Sequence, residues 1–496
     1  MKFPVSPNLR IMDDTLREGS QTPNVVYTAE NRVKIFEKLV DVGIDLVNVG
    51  SPSVRADYDG IRGILALGYG DVEVVGHCGC SVNEVDAAAD LGLDSLKLYI
   101  APTEAHLKAK FQDKRFSGLA EMREFCIERI QESVDRADSR GIRTVSYTPE
   151  DITSVIGSAD ETNFAMRAIE TALSKAHRIA LPDTRGRAVP EEIGGIVRRV
   201  KDRFSNYNFE VEAHFHNDLG LAVANSLAAV KAGADIVHAT VNGLGERVGI
   251  TSLETLDAAL YYGVGFDTGL KKDRMYELSR LVESMSGMPI ARNAPVVGEN
   301  AFSHTAGRHQ GAIAKDSRTY QTLESDVYGR GSIMAFGTLT GRGGVEGFLS
   351  DCGVDVSKVG KDEIADIVGS IRGYTESSGF CDPIMAKGFA EARLGYTIEL
   401  PQKYRDSVFS ETYVLINTPT GENEITMGSQ IVDSLSKMPH VIRIDEVFGR
   451  KDVNYIALLR YRAGEDSAVT ATRRALSGID GGISAEVIQT GNKYRM

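Results

Sequence analysis

The sequence predicts an α/β chain: a (β/α)8 TIM barrel, then a helical subdomain, then a C-terminal α+β domain of ferredoxin-like order. Three observations carry this. A phrase recurs as Gly43-Ile44-Asp45-Leu46-Val47, Gly92-Leu93-Asp94-Ser95-Leu96 and Gly233-Ala234-Asp235-Ile236-Val237. Each copy follows a helical stretch and opens an apolar run, and glycine closes helices in a left-handed cap. Eight strand-like runs fall in the first half of the chain, and eight βα units fill about 250 residues. After a polar stretch, residues 409–496 alternate in the order βαββαβ.

The barrel strands are expected at 10–14, 44–49, 73–77, 94–99, 143–148, 177–182, 209–214 and 235–240. Amphipathic stretches separate most of them, such as Ala29 to Val42 and Ala222 to Ala232, so the strands should run parallel. A doubly wound open sheet is the alternative, but its Gly-rich first turn is missing. The first strand is followed by Thr15-Leu16-Arg17-Glu18-Gly19 instead. Past 276 the strand alternation fades and helical stretches such as Lys361 to Ile371 take over. The glycines of 328–347 read as loop, and Leu400 to Ser407 as a linker. The expected domains are 1–275 (barrel), 276–400 (a helical and loop subdomain completing the active site) and 409–496. In the last, strands are expected at Thr412–Asn417, Val441–Phe448, Tyr455–Tyr461 and Ile483–Gln489, with helices at Glu422–Lys437 and Ser467–Leu476.

Composition excludes several classes. A net charge of -13 over 496 residues argues against non-specific nucleic-acid binding, which needs a basic surface. Apolar runs such as Ala258 to Phe266 fall well short of the roughly 18 residues of a membrane span. MKFPVSPNLR has no apolar core, so no signal peptide is expected. Five cysteines, an odd number, make no disulfide framework and fit a reducing, cytoplasmic compartment. Cys78-Gly79-Cys80 is too tightly spaced for a usual zinc knuckle and reads as structural.

His214-Phe215-His216 is the sharpest chemical signal. Residues two apart on a strand face the same way, so two imidazoles at a strand end can ligate one divalent metal. A pair of imidazoles satisfied by ordinary hydrogen bonds is the structural alternative. Glu18, after the first strand, could add a hard oxygen ligand, and Arg17 could stabilise charge developing on an oxygen. Alone they read as a surface ion pair, but closure of a barrel brings the first strand near the seventh. Asn242-Gly243-Leu244-Gly245-Glu246-Arg247 reads either as a flexible turn or as backbone open to a bulky anion, with Arg247 nearby. His304, His309 and Tyr320 lie outside the barrel and read as surface residues.

Together these segments resemble the metal-dependent Claisen-condensing synthases, the family of homocitrate, 2-isopropylmalate and citramalate synthases. The lyase that cleaves hydroxymethylglutaryl-CoA is a relative. The resemblance covers about residues 8–395. It rests on DDTLREGSQT at 13–22, HFHNDLGLAVANSLAA at 214–229, VNGLGERVGIT at 241–251 and HTAGRHQGAIAKDSRTY at 304–320. The phrase GLGERVGIT is most like the homocitrate synthases. The resemblance implies an acyltransferase joining acetyl-CoA to a 2-oxo acid in a cytoplasmic homodimer, with no nucleic-acid or membrane partner. It implies Glu18, His214 and His216 as ligands of Mg, Mn or Zn, and Arg17 as the group polarising the keto oxygen. Gln21 and Thr184 match positions that contact the 2-oxo acid, and His309 and Tyr320 the acid–base pair. The tail resembles RAM/ACT-like domains and implies an amino-acid effector. Three positions depart from the family pattern: Ser20 and Asn48 replace acidic residues, and Ser146 replaces an arginine. In homocitrate synthases that arginine binds the distal carboxylate of 2-oxoglutarate, and Arg185 and Arg187 are the candidates to substitute for it.

Overall fold

The computed structural model describes residues 3–405, 409–417, 441–448, 453–462 and 484–491, apart from 69, 112–115, 314 and 380, with side chains up to 404. Eight parallel strands close into a barrel: β1 (Arg10–Asp13), β2 (Leu46–Gly50), β3 (Glu73–Gly79), β4 (Ser95–Ile100), β5 (Thr144–Pro149), β6 (Arg178–Asp183), β7 (Glu210–Phe215) and β8 (Ile236–Ala239). β8 returns to β1, with Arg10 opposite Ile236 and Asp13 opposite Ala239. Each strand is covered by helices outside and side chains inside. β2 and β6 are accordingly buried at every position, as parallel strands with two covered faces should be.

Helices separate successive strands: α1 (Ala29–Val42), α2 (Arg55–Leu67), α3 (Val82–Leu91), α4 (Glu104–Lys110), α5 (Leu119–Ser139), α6 (Ala159–Ala172), α7 (Pro190–Arg203) and α8 (Ala222–Lys231), while α9 (Leu253–Ala258) and α10 (Met275–Ser286) follow β8. The recurring glycine does what its position predicts. Gly43 ends α1 at φ 97°, with its N–H on the carbonyls of Leu39 and Val40, and Gly92 ends α3 at φ 95°. The next two residues of the phrase finish the turn, so β2 and β4 start slightly later than expected.

Inside the barrel Met12, Leu46, Val75 and Ile236 form an apolar layer. At the strands' N-terminal ends an ion-pair network crosses the barrel. Arg178 donates to both oxygens of Glu73 (2.6 and 2.9 Å) and to Glu210 (2.9 Å), which also accepts from Arg10 (2.5 Å). One compact unit runs over Met1–Ser286, past the expected boundary at 275, because α10 packs back against α1.

The second unit is Gly287–Met496. A short parallel pair, β9 (Ser303–His304) and β10 (Ile333–Met334), accompanies α11 (Gly307–Ile313), α12 (Arg342–Asp351), α13 (Lys361–Ser378) and α14 (Pro383–Leu394). Its core includes Val345, Phe348, Ile367, Ile371, Ala386 and Tyr404. The glycine-rich stretch 328–347 is not all loop, since β10 and the start of α12 lie within it. Its glycines serve helix contact: a Cβ on Gly343 would stand 2.7 Å from the Gly311 Cα of α11. The last strands are β11 (Phe409–Asn417), β12 (Val441–Phe448), β13 (Val453–Arg462) and β14 (Ser484–Gly491), an antiparallel sheet in the order β12-β13-β11-β14. This is ferredoxin-like pairing, with the first and third strands in the centre. The helices expected at 422–437 and 467–476 lie outside the described residues.

Candidate active site

A cavity of about 740 Å³ opens at the C-terminal ends of the strands, the face on which TIM-barrel sites are built. β7 delivers His214 on its inner face and His216 just beyond its end. The turn after β1 delivers Arg17 and Glu18. That turn is wound on one carbonyl: Asp14 O accepts from Arg17 N (3.1 Å), Glu18 N (2.7 Å) and Gly19 N (3.2 Å). The loop after β8 clamps it from the other side. Glu246 N donates to Glu18 Oε1 (3.1 Å), Gly245 N to Thr22 Oγ1 (2.8 Å), and Val241 N to Thr15 Oγ1 (2.9 Å). The loop's tight course needs glycine at 249, where φ is +85° and a Cβ would fall 1.8 Å from Gly243 O. The segment read as either a flexible turn or an anion approach is therefore a clamp on Glu18. Arg247 is committed elsewhere, donating to both oxygens of Asp218 (2.7 and 2.9 Å) and to Thr184 O (2.8 Å).

The structure brings Glu18, His214 and His216 together. Glu18 Oε2 lies 3.9 Å from His214 Nε2, and Oε1 lies 3.9 Å from His216 Nε2. All three residues are buried. Burial disfavours charge on Glu18, but Arg17, His214 and His216 outweigh it and hold the carboxyl below its ordinary range. Burial pushes both imidazoles down, His216 to about 4, with His214 adding to that shift. An ionised carboxylate and two neutral imidazoles are the ligand forms of these groups. Their facing atoms are too far apart to hydrogen-bond and close enough to share one ion, so the donor set fits a divalent cation.

Arg17 is bonded to Glu18 through Nη1, and its Nη2 lies 3.2 Å from His77 Nε2. His77 stacks on Tyr99 with ring centroids 4.8 Å apart. Gln21 and Thr184 both line the cavity, and Thr184 Oγ1 accepts from Asp151 N (3.0 Å). Asn48 and Ser20 line it too, and Ser20 donates its hydroxyl to Arg17 O (2.7 Å). Ser146 is buried with no protein partner for its hydroxyl, and Thr148, two residues on, faces the cavity. The two arginines named as candidates to substitute lie away from the cavity wall. Arg185 turns to Asp151 (3.1 Å) and to Ser154, Arg187 is exposed, and neither is among the cavity-lining side chains.

His309 and Tyr320 lie in the second unit, where they are exposed and their rings stack with centroids 4.0 Å apart. Cys78 and Cys80 are free and buried, as a structural reading requires. Sequence reasoning missed Asp14, His77, Lys97 and His238, all of which line the cavity. The available signal was a charged or imidazole side chain inside an otherwise apolar strand, as in SLKLYI and IVHA.

Residues 8–282 match the family model described as HMGL-like, and residues 296–377 match the homocitrate synthase post-HMGL domain-like model. The homocitrate synthase of Saccharolobus solfataricus is 37% identical over 363 residues, covering 71% of this chain and 74% of that one. The homocitrate synthase of Sulfurisphaera tokodaii is 36% identical over 363 residues with the same coverage. A crystal structure of the HMG-CoA lyase of Bacillus subtilis, 18% identical, superposes with a TM-score of 0.50 over 59% of this chain and 98% of that one, which shows the shared barrel. With an eight-stranded barrel matched along its whole length and relatives of this identity, the chain belongs to the HMGL-like family.

Proposed function

We propose that this chain condenses acetyl-CoA with a 2-oxo acid, and that homocitrate synthase, the activity named for its relatives, is its specific reaction. The observation that carries the reading is the buried Glu18–His214–His216 triad with the Arg17 guanidinium bonded to its carboxylate. A divalent cation held by these three residues supplies Lewis-acid polarisation of a keto group. Magnesium, manganese and zinc all suit the mixed donor set.

The remaining work falls to the chain's own groups. Gln21 and Thr184 orient the 2-oxo acid at the cavity wall. Arg17 stabilises the negative charge that grows on the keto oxygen as the new carbon–carbon bond forms. His309 and Tyr320 handle the proton that leaves the acetyl methyl group, in a homodimer where the neighbouring protomer presents them. Hydrolysis of the thioester then makes the condensation irreversible. A lyase shares the barrel, but the match of 296–377 to a homocitrate synthase segment favours the synthase.

The test is a thiol-release assay of the full chain with acetyl-CoA and a panel of 2-oxo acids, 2-oxoglutarate, 2-oxoisovalerate and pyruvate among them. Each is run after chelation and again after adding back each metal. Metal-dependent thiol release, strongest with 2-oxoglutarate, is the expected result. No release with any 2-oxo acid and any metal would overturn the proposal.

A further inference from the structure

Beneath the triad lies a buried polar chain that the reaction as proposed does not use. Lys97 Nζ is bonded to Glu212 Oε2 and stands 3.3 Å from His238 Nε2, itself 3.1 Å from the same Glu212 oxygen. On the other side of the ring, His238 Nδ1 is 2.9 Å from Asp14 Oδ2. That oxygen is also 3.1 Å from His214 Nδ1. All five residues are buried.

The two Nδ1 atoms facing Asp14 Oδ2 are also 3.2 Å from each other; a carboxylate oxygen only accepts and repels a lone pair, so the favoured arrangement has each of them donating its hydrogen to that oxygen. In a neutral imidazole the other nitrogen then holds the lone pair. For His214 that nitrogen is Nε2, the atom facing Glu18. His216 has no such support, because its buried Nδ1 has no protein partner. Asp14, His214 and His238 also form a group of metal-ligand type. However, two N–H groups aimed at one oxygen across 2.9 and 3.1 Å already occupy that point, so it reads as support and not as a second ion site.

We propose that Asp14 is a positioning residue: its Oδ2 fixes the Nδ1–H tautomer and the ring orientation of His214, presenting Nε2 to the cation, while His238 and the Lys97–Glu212 pair hold Asp14 in place. The inference rests on the reading of Glu18, His214 and His216 as metal ligands. An imidazole that must choose its tautomer on binding loses affinity, and removing such a supporting carboxylate typically weakens metal binding about 10–100-fold. The backbone of Asp14 does a separate job, since its carbonyl holds Glu18 N at 2.7 Å. Side-chain variants therefore leave the backbone support of Glu18 in place while removing the partner of His214 and His238.

The experiment uses metal-free, full-length protein labelled with 15N-histidine, as wild type, Asp14→Ala, Asp14→Asn and Asp14→Leu. Long-range 1H–15N spectra report the tautomers, and the His214 signals are assigned by their loss in His214→Gln. The same proteins are titrated with Mn2+, and the free ion is followed by electron paramagnetic resonance. Wild-type His214 should carry its proton on Nδ1. Asp14→Ala should show mixed tautomers at His214, unchanged His216 signals and Mn2+ affinity lower by about 10–100-fold. Asp14→Asn keeps an accepting oxygen and should restore the Nδ1–H form and most of the affinity, whereas Asp14→Leu, of similar size but with no acceptor, should not; a merely space-filling role would predict rescue by both. A wild-type His214 protonated on Nε2 overturns the inference. So does Asp14→Ala with wild-type tautomer and affinity; should that variant not fold, the wild-type and Asp14→Asn spectra decide. Absence of Mn2+ binding by the wild type would overturn the metal-site reading instead, because the tautomers are read without metal.

Discussion

Two adjacent carboxylates, Asp13 and Asp14, show how sharply the barrel interior separates like groups. Both are fully enclosed. Asp14 has two imidazoles against it and, despite burial, its carboxyl is held well below the ordinary range. Asp13 goes the other way: burial pushes it up to about 8, only partly offset by its hydrogen bonds from Thr15, and the Asp14 and Glu254 carboxylates add to the rise. In the unfolded chain Asp13 ionises near 3.9, so between about pH 4 and pH 8 the folded state binds the extra proton. Its contribution to stability is complete below the unfolded value and is lost as pH rises through the folded one. Asp13→Asn should therefore gain melting temperature relative to wild type as pH is raised from 5 to 8, measured on metal-free protein. A difference that stays constant across that range would show that Asp13 does not titrate in this way. At the triad, Glu18→Ala or His214→Ala should abolish turnover and divalent-metal binding while leaving the circular dichroism spectrum unchanged. Full activity in a metal-free His214→Ala protein would remove the triad from the chemistry.

The loop after β8 is the element on which the site's geometry depends. Its amides at 245 and 246 hold Thr22 and Glu18, and glycine 249 lets it fold back on Gly243. Gly249→Ala adds a Cβ that cannot fit, at a φ that alanine resists by roughly 1 kcal/mol or more. The expected outcome is at least a tenfold loss of metal affinity with a far smaller fall in melting temperature, checked by metal titration and calorimetry. The strands themselves were legible in the sequence, because short apolar runs mark each βα unit and glycines close several of its helices. The convergence of Glu18, His214 and His216 was legible too, since His-x-His on a strand shares a face and closure joins the first strand to the eighth. Asp14, Lys97 and His238 were not. Lys97 and His238 each sit alone in an apolar strand, nothing local ties Asp14 to either, and only the closed barrel sets them in one chain. The fate of Arg185 and Arg247 was equally hidden, because nothing local says that Asp151 and Asp218 will claim them.

Across the whole molecule, the tail is the part whose role is most open to direct test. The sheet of β11 to β14 has ferredoxin-like pairing, and such a fold serves many roles. Regulation needs a second site with different affinity for two states of the enzyme. The full chain and a version ending at Ser407 should be assayed with amino acids present, lysine and leucine first. Inhibition of the full chain by at least fivefold that vanishes on truncation is the expected outcome, and identical responses would leave the tail a structural role. The seam between β1 and β8 has one more consequence, for the order of events during synthesis. Glu18 leaves the ribosome early, whereas His214, His216 and the clamp at 245–249 emerge more than half-way through the barrel's translation. A nascent chain arrested before β8 has the carboxylate but not its seat. On the proposed reading of the triad, metal capture is a late event, and ion uptake would report that the last strand has docked on the first.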